Sequence, residues 1–177
     1  MTMTLIETKT VGTATNTLQF TSIPQTYTDL YITLSVRTSI ADNIGYTTLR
    51  VNNNTSNWTT RHLQGNSSAA AGGSSSSAPD FFGSGGNTTA DTFGSGTVYI
   101  PNYTGSTNKS LSIDFVSENN ATGAFSAMQR IVTALWSNSA PITSFEVVAD
   151  GVTNLSVGTT VSIYGILKGT DGIVVVS

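Results

Sequence analysis

The sequence predicts an all-β fold: a single jelly-roll-like β-sandwich with a long Ser/Gly-rich insertion. Three observations predict it. Apolar residues recur with period two, turn-forming residues interrupt them at short intervals, and hydroxyls, amides and glycine fill the gaps. Charged residues are 10% of the 177, where an ordinary globular chain has about a quarter. Ser and Thr make up roughly 30% of the chain, far above ordinary usage. This composition suits strands whose outer faces are Thr, Ser and Asn and whose task is contact.

Met1 to Lys9 alternates Thr with apolar residues and reads as a strand. It lacks the basic start and unbroken apolar run of a secretion signal. Leu18 and Phe20 alternate with Gln19 and Thr21. In Asp29 to Arg37, Leu30, Ile32, Leu34 and Val36 face one way, against Tyr31, Thr33, Ser35 and Arg37. Further strands fit Tyr46 to Val51, Trp58 to Gln64, Thr97 to Ile100, Leu111 to Ser117, Thr143 to Ala149 and Thr160 to Leu167. Gly123 to Leu135 tolerates helix, but Phe125, Ala127, Gln129, Ile131, Thr133 and Leu135 in alternation favour a long strand ending near Trp136. Turn-formers such as Asn52-Asn53-Asn54, Asn102-Tyr103-Thr104-Gly105 and Asp150-Gly151 bound these runs. About nine or ten strands result, enough for one sandwich domain. Its expected core is Leu30, Ile32, Leu34, Val36, Leu111, Ile113, Phe115, Ile131, Leu135, Val147 and Ile163.

Asn66 to Thr92 stands apart as Ser, Gly, Ala and Thr, interrupted by Pro79-Asp80-Phe81-Phe82. Composition reads it as a flexible loop. Ordering each residue costs about 1–2 kcal/mol of backbone entropy, and the segment has little apolar surface to offset that. Order must therefore come from outside it, from a neighbouring copy or a partner protein. Phe81 and Phe82, with Phe93 just beyond, are expected to anchor in a neighbour's pocket. The apolar tail, residues 168–177, contains Ile173, Val174, Val175 and Val176, which are expected to extend a neighbouring sheet.

Sites of chemistry are hard to assemble from these residues. The lone histidine, His62, follows Arg61 on a strand and reads as part of a solvent or interface pair. Asp29, Asp114, Glu118 and Glu146 have turn or strand explanations, and no spacing singles out a glycosidase pair. The glycines from Gly83 to Gly86 and from Gly94 to Gly96 lack the Lys and following helix of a phosphate loop. Cysteine is absent, which excludes disulfides and zinc-thiolate sites. The reading is therefore a non-enzyme with no catalytic residue, metal or cofactor. Net charge is −3, and the seven Lys and Arg residues are dispersed, which argues against nucleic acid. No run is long and apolar enough for a membrane helix. Tyr27, Tyr31, Trp58, Tyr99, Tyr103, Trp136 and Tyr164 could include a sugar-stacking platform, so a glycan stays open as a ligand.

Three islands carry a resemblance: Phe20 to Leu30, Leu135-Trp136-Ser137 with Pro141 to Phe145, and Gly158 to Ile166. Their order resembles small β-sandwich virion proteins of tailed bacteriophages, including cyanophages, of the head decoration, head fibre or tail-associated type. The resemblance implies a structural protein made in the host cytoplasm and incorporated into the virion. It would act by binding, as a homo-oligomer with a trimer favoured, against the major capsid protein or other virion proteins. The alternative is a tail-fibre or adhesin module for a host-surface glycan. It carries over no catalytic residue.

Overall fold

The computed structural model describes residues 2–118, 120, 125 and 127–167. Regular structure among them is entirely strand. In chain order the strands are β1 (Thr2–Thr10), β2 (Thr17–Phe20), β3 (Asp29–Val36), β4 (Ile44–Val51), β5 (Trp58–Asn66), β6 (Ala69–Ser75), β7 (Asp80–Ser84), β8 (Gly94–Ile100), β9 (Lys109–Glu118), β10 (Ala127–Trp136), β11 (Phe145–Ala149) and β12 (Thr160–Leu167). They form an eight-stranded sheet, β1-β12-β3-β8-β9-β10-β5-β6, and a four-stranded sheet, β2-β11-β4-β7. Every pairing in both sheets is antiparallel. The sheets pack as a sandwich, and β7 lies across β9 with contacts to β8, β10 and β3.

The alternation read from the sequence is the burial pattern of β3 and β9. Leu30, Ile32, Leu34 and Val36 point inward, as do Leu111, Ile113 and Phe115. Facing them across the core are Leu49, Val51, Phe145 and Val147 of the small sheet. The asparagine turns follow from left-handed backbone that Asn tolerates better than most residues: φ is 50° at Asn52, 52° at Asn53 and 49° at Asn102.

The three islands of resemblance meet in space. The Ile23 amide donates to the Thr143 carbonyl (3.0 Å), and the Thr28 amide donates to the Ile166 carbonyl (2.9 Å). Gly165 leaves the space that the Tyr27 ring fills; a Cβ there would lie 2.2 Å from the ring. The residues of the three islands thus build one region of the sandwich.

Two expectations are corrected. Asn66 to Thr92 is no external loop, because it contains the end of β5, all of β6 and all of β7. Phe81 and Phe82 are buried within their own domain. Phe81 tilts against Phe115, ring centroids 4.9 Å apart, and Phe82 packs with Ile44 and Met128. Phe93 is half-buried against the turn at Gly158. What holds the remaining loop is Arg37, at the end of β3. Its guanidinium donates to Thr88 Oγ1 (2.8 Å) and to the carbonyls of Thr89 (2.9 Å) and Thr92 (2.9 Å). Gly86 seals the other side, its amide donating to the Ile40 carbonyl (2.6 Å) where a Cβ would clash at 2.8 Å. Ile173, Val174, Val175 and Val176 lie outside the described residues.

The second correction concerns β10. Ile131 and Leu135 face solvent, while Met128, Arg130, Val132, Ala134 and Trp136 face inward. Both sets alternate, and the inward set carries a charge, Arg130. Its charge is tolerated inside because Asp80 of β7 accepts two hydrogen bonds from it, at 2.9 and 3.1 Å.

Two consequences are measurable in denaturant melts. Ile32→Ala should destabilise by about 2–5 kcal/mol, while Ile131→Thr should stay within about 0.5 kcal/mol; equal losses would contradict this phase of β10. Phe81→Ala should cost about 3–5 kcal/mol in the isolated chain. A Phe81 variant that melted like the parent would return Phe81 to the role of an external anchor.

Candidate interaction surface

The outward face of the eight-stranded sheet is the molecule's broadest regular surface. Across β3, β8, β9, β10 and β5 its exposed charges are Arg61, Asp114 and Glu118, amid Ser, Thr and Gln. Apolar side chains nonetheless sit on it. Leu63 is 61% exposed and Ile131 58%, and the register sets them directly opposite one another on β5 and β10. Val116, 51% exposed, and Leu135 extend the apolar area on β9 and β10. Shallow hollows flank the Leu63–Ile131 pair, one toward Gly65, Ala70 and Gln129, the other toward Arg61 and Thr133. Leaving such groups in water forgoes roughly 25 cal/mol per Å² of burial, and contiguous exposed apolar area marks contact sites.

A second feature of this face is a row across four strands. Leu5 of β1 opposes Tyr164 of β12, Tyr164 opposes Tyr31 of β3, and Tyr31 opposes Tyr99 of β8. The Tyr99 hydroxyl donates to Asp29 Oδ2 (2.8 Å), which holds the ring's outer end. Three of the seven aromatics singled out from the sequence therefore meet. Trp58, Trp136 and Tyr103 do not join them: all three are buried, with the two indoles stacked at 6.1 Å. Tyr27 is committed to Gly165.

The sequence reading missed the polar cluster behind β5. His62 turns inward, away from Arg61. Its Nδ1 lies 2.9 Å from Arg130 Nη2, and a guanidinium can only donate, so Nδ1 accepts and the ring is neutral at that nitrogen. In a Ser-His-Asp triad Nδ1–H donates to a carboxylate; here the polarity is reversed. Arg130 also stacks over Phe82, 4.6 Å from the ring centroid. Beside the cluster is a polar hollow of about 420 Å³, lined by Thr48, Ser75, Ser77, Asp80 and Asp150 among others. The carboxylates weighed as a pair are dispersed: Asp29 and Glu146 are buried, Asp114 and Glu118 exposed, and none opposes another in the register. Among the described residues no three His, Cys, Asp or Glu cluster as metal ligands would.

The chain matches no protein-family model, no curated protein and no solved structure.

Burial, then the Arg130 charge, holds the His62 pKa below its ordinary value of 6.5, with the Asp80 carboxylate opposing. The unfolded chain therefore binds a proton on His62 more readily than the folded one. The cluster's contribution is complete above pH 6.5 and is lost as pH falls through the lower folded value. Thermal melts of the parent and His62→Gln, compared from about pH 8 to about pH 5, should show the parent losing more stability on acidification. Parallel curves would mean that His62 does not titrate against Arg130.

Proposed function

We propose that this chain is a structural virion protein of a tailed bacteriophage. It decorates or cements the capsid through non-covalent contacts with copies of itself, as a trimer, and with the major capsid protein or other virion proteins. It is made in the host cytoplasm, ends in the particle and needs no cofactor. The observation that carries this reading is the charge-poor outer sheet face with its Leu63–Ile131 strip, a surface suited to contact. A protein repeated many times on one particle meets its own surface repeatedly, and a charge-poor, hydroxyl-rich face avoids like-charge repulsion. Apolar burial there favours the assembled shell by mass action, with little dependence on salt. The resemblance of the three islands to phage virion proteins points the same way.

The Tyr164–Tyr31–Tyr99 row favours a second reading, an adhesin module whose tyrosines meet a host-surface glycan. Amphipathic rings suit sugars as well as proteins, and β-strand spacing sets successive rings about 5 Å apart.

One pair of measurements separates the two readings. Leu63→Ser with Ile131→Ser should change stability by no more than about 0.5 kcal/mol and yet abolish co-sedimentation with the parent particle's heads. Undiminished attachment, or absence of the protein from the particle, would overturn the decoration reading. Tyr31→Ala should spare attachment on that reading, whereas loss of glycan-array binding on Tyr31→Ala would establish the adhesin.

A further inference from the structure

We propose that β6 is a self-pairing edge: Ala69–Ser75 of one copy hydrogen-bonds, antiparallel, to the same strand of a second copy about a two-fold axis. The large sheet ends in two strands of opposite character. At β1 a register shift between Leu5 and Glu7 breaks the ladder, and Glu7 and Lys9 form an ion pair at 3.4 Å. Bulges and charges are the devices by which edges resist pairing. Strand β6 has neither. It reads Ala-Ala-Ala-Gly-Gly-Ser-Ser, without charge or proline, and stays in unbroken register with β5 from Thr60↔Ser75 to Asn66↔Ala69. Its residues are exposed on both faces, except Gly73, where the His62 ring lies. Among the described residues no strand pairs with its far side.

The chemistry of the strand selects a second copy as occupant. Antiparallel pairing about Gly72 sets Ala70 opposite Ser74 and Ala69 opposite Ser75, so neither bulk nor like charge intervenes. A two-fold axis generates antiparallel pairing from a single strand, and the contact closes on itself. Head-to-tail growth would have to use β1, with its bulge and charges. One open edge therefore makes a pair and not a filament.

The axis stands perpendicular to the sheet, so both outer faces lie on the same side. The order becomes β10-β5-β6-β6-β5-β10, and the two Leu63 side chains are about 14 Å apart, three strand spacings. Two apolar strips then form one contact face. This inference rests on the edge alone and not on the virion reading. It doubles whatever unit exists, a monomer to a dimer or a trimer to a pair of trimers.

Sedimentation velocity of the full chain, from micromolar to hundreds of micromolar, tests it. The parent should sediment as a doubled unit. Ala70→Lys with Ser74→Lys, and separately Ala70→Glu with Ser74→Glu, should each weaken doubling at least about tenfold, because like charges then face across the axis. An equal mixture of the two variants should restore it. Both positions are exposed, and unchanged melting of the dilute variants confirms folding. A parent that never doubles, a Lys variant that doubles as the parent does, or folded variants whose mixture stays apart would each overturn the proposal. A parent that stays single but captures an extended Ala/Gly/Ser peptide would assign the edge to a foreign strand and overturn it as well. Head attachment is a separate readout, so the two proposals fail separately.

Discussion

The ion pair between Arg130 and Asp80 ties the two sheets together and decides which face of β10 looks inward. Arg130 is 6% exposed, and a guanidinium in that position is tolerable only where a carboxylate meets it. Asp80 can do so only if β7 completes the small sheet beside β4. Once β7 is seated, Phe81 and Phe82 follow it inside, one into the main core and the other beneath the guanidinium. Ile131 and Leu135 are correspondingly turned outward. Removing Asp80 would strand the buried Arg130 charge, so the pair acts more as a specification of register than as a source of net stability. The apolar outer face is a consequence of an electrostatic choice made on the inner one.

The strands with clean alternation were legible from the sequence to within a few residues, β3, β9 and β12 best of all. Two kinds of information were not. Strand β6 carries no apolar period and is built from residues of poor strand propensity; its order comes from main-chain pairing with β5, which leaves no mark on side-chain choice. Phe81 and Phe82 looked like external anchors because their partners, Phe115 and Met128, lie far along the chain. Similarly, either phase of β10 reads as a strand, and only the distant Asp80 distinguishes them. The Tyr164–Tyr31–Tyr99 row needs the pairing order of three strands, which a pattern within one strand does not contain. A usable signal did exist for the buried pair: one Arg in an otherwise apolar alternation and one Asp ahead of two phenylalanines.

The unusual composition acquires a structural meaning from where the cations go. Of seven Lys and Arg residues, Arg37 is spent on loop carbonyls and Arg130 on Asp80. Lys109 is buried and donates to the Gly105 carbonyl at 2.7 Å. Lys9 guards the β1 edge and donates to the Gln19 carbonyl. With few charges in the chain and these four cations engaged in holding it together, the broad sheet face is left mainly to hydroxyls, tyrosines and aliphatic side chains. Contacts made by such a face draw on apolar burial and on short-range hydrogen bonds. Neither reaches far into solvent, so the surface does little to steer a partner from a distance. On the proposed reading, recognition would then be a matter of shape and register once two surfaces already lie close, which suits a component that meets its partners at high local concentration.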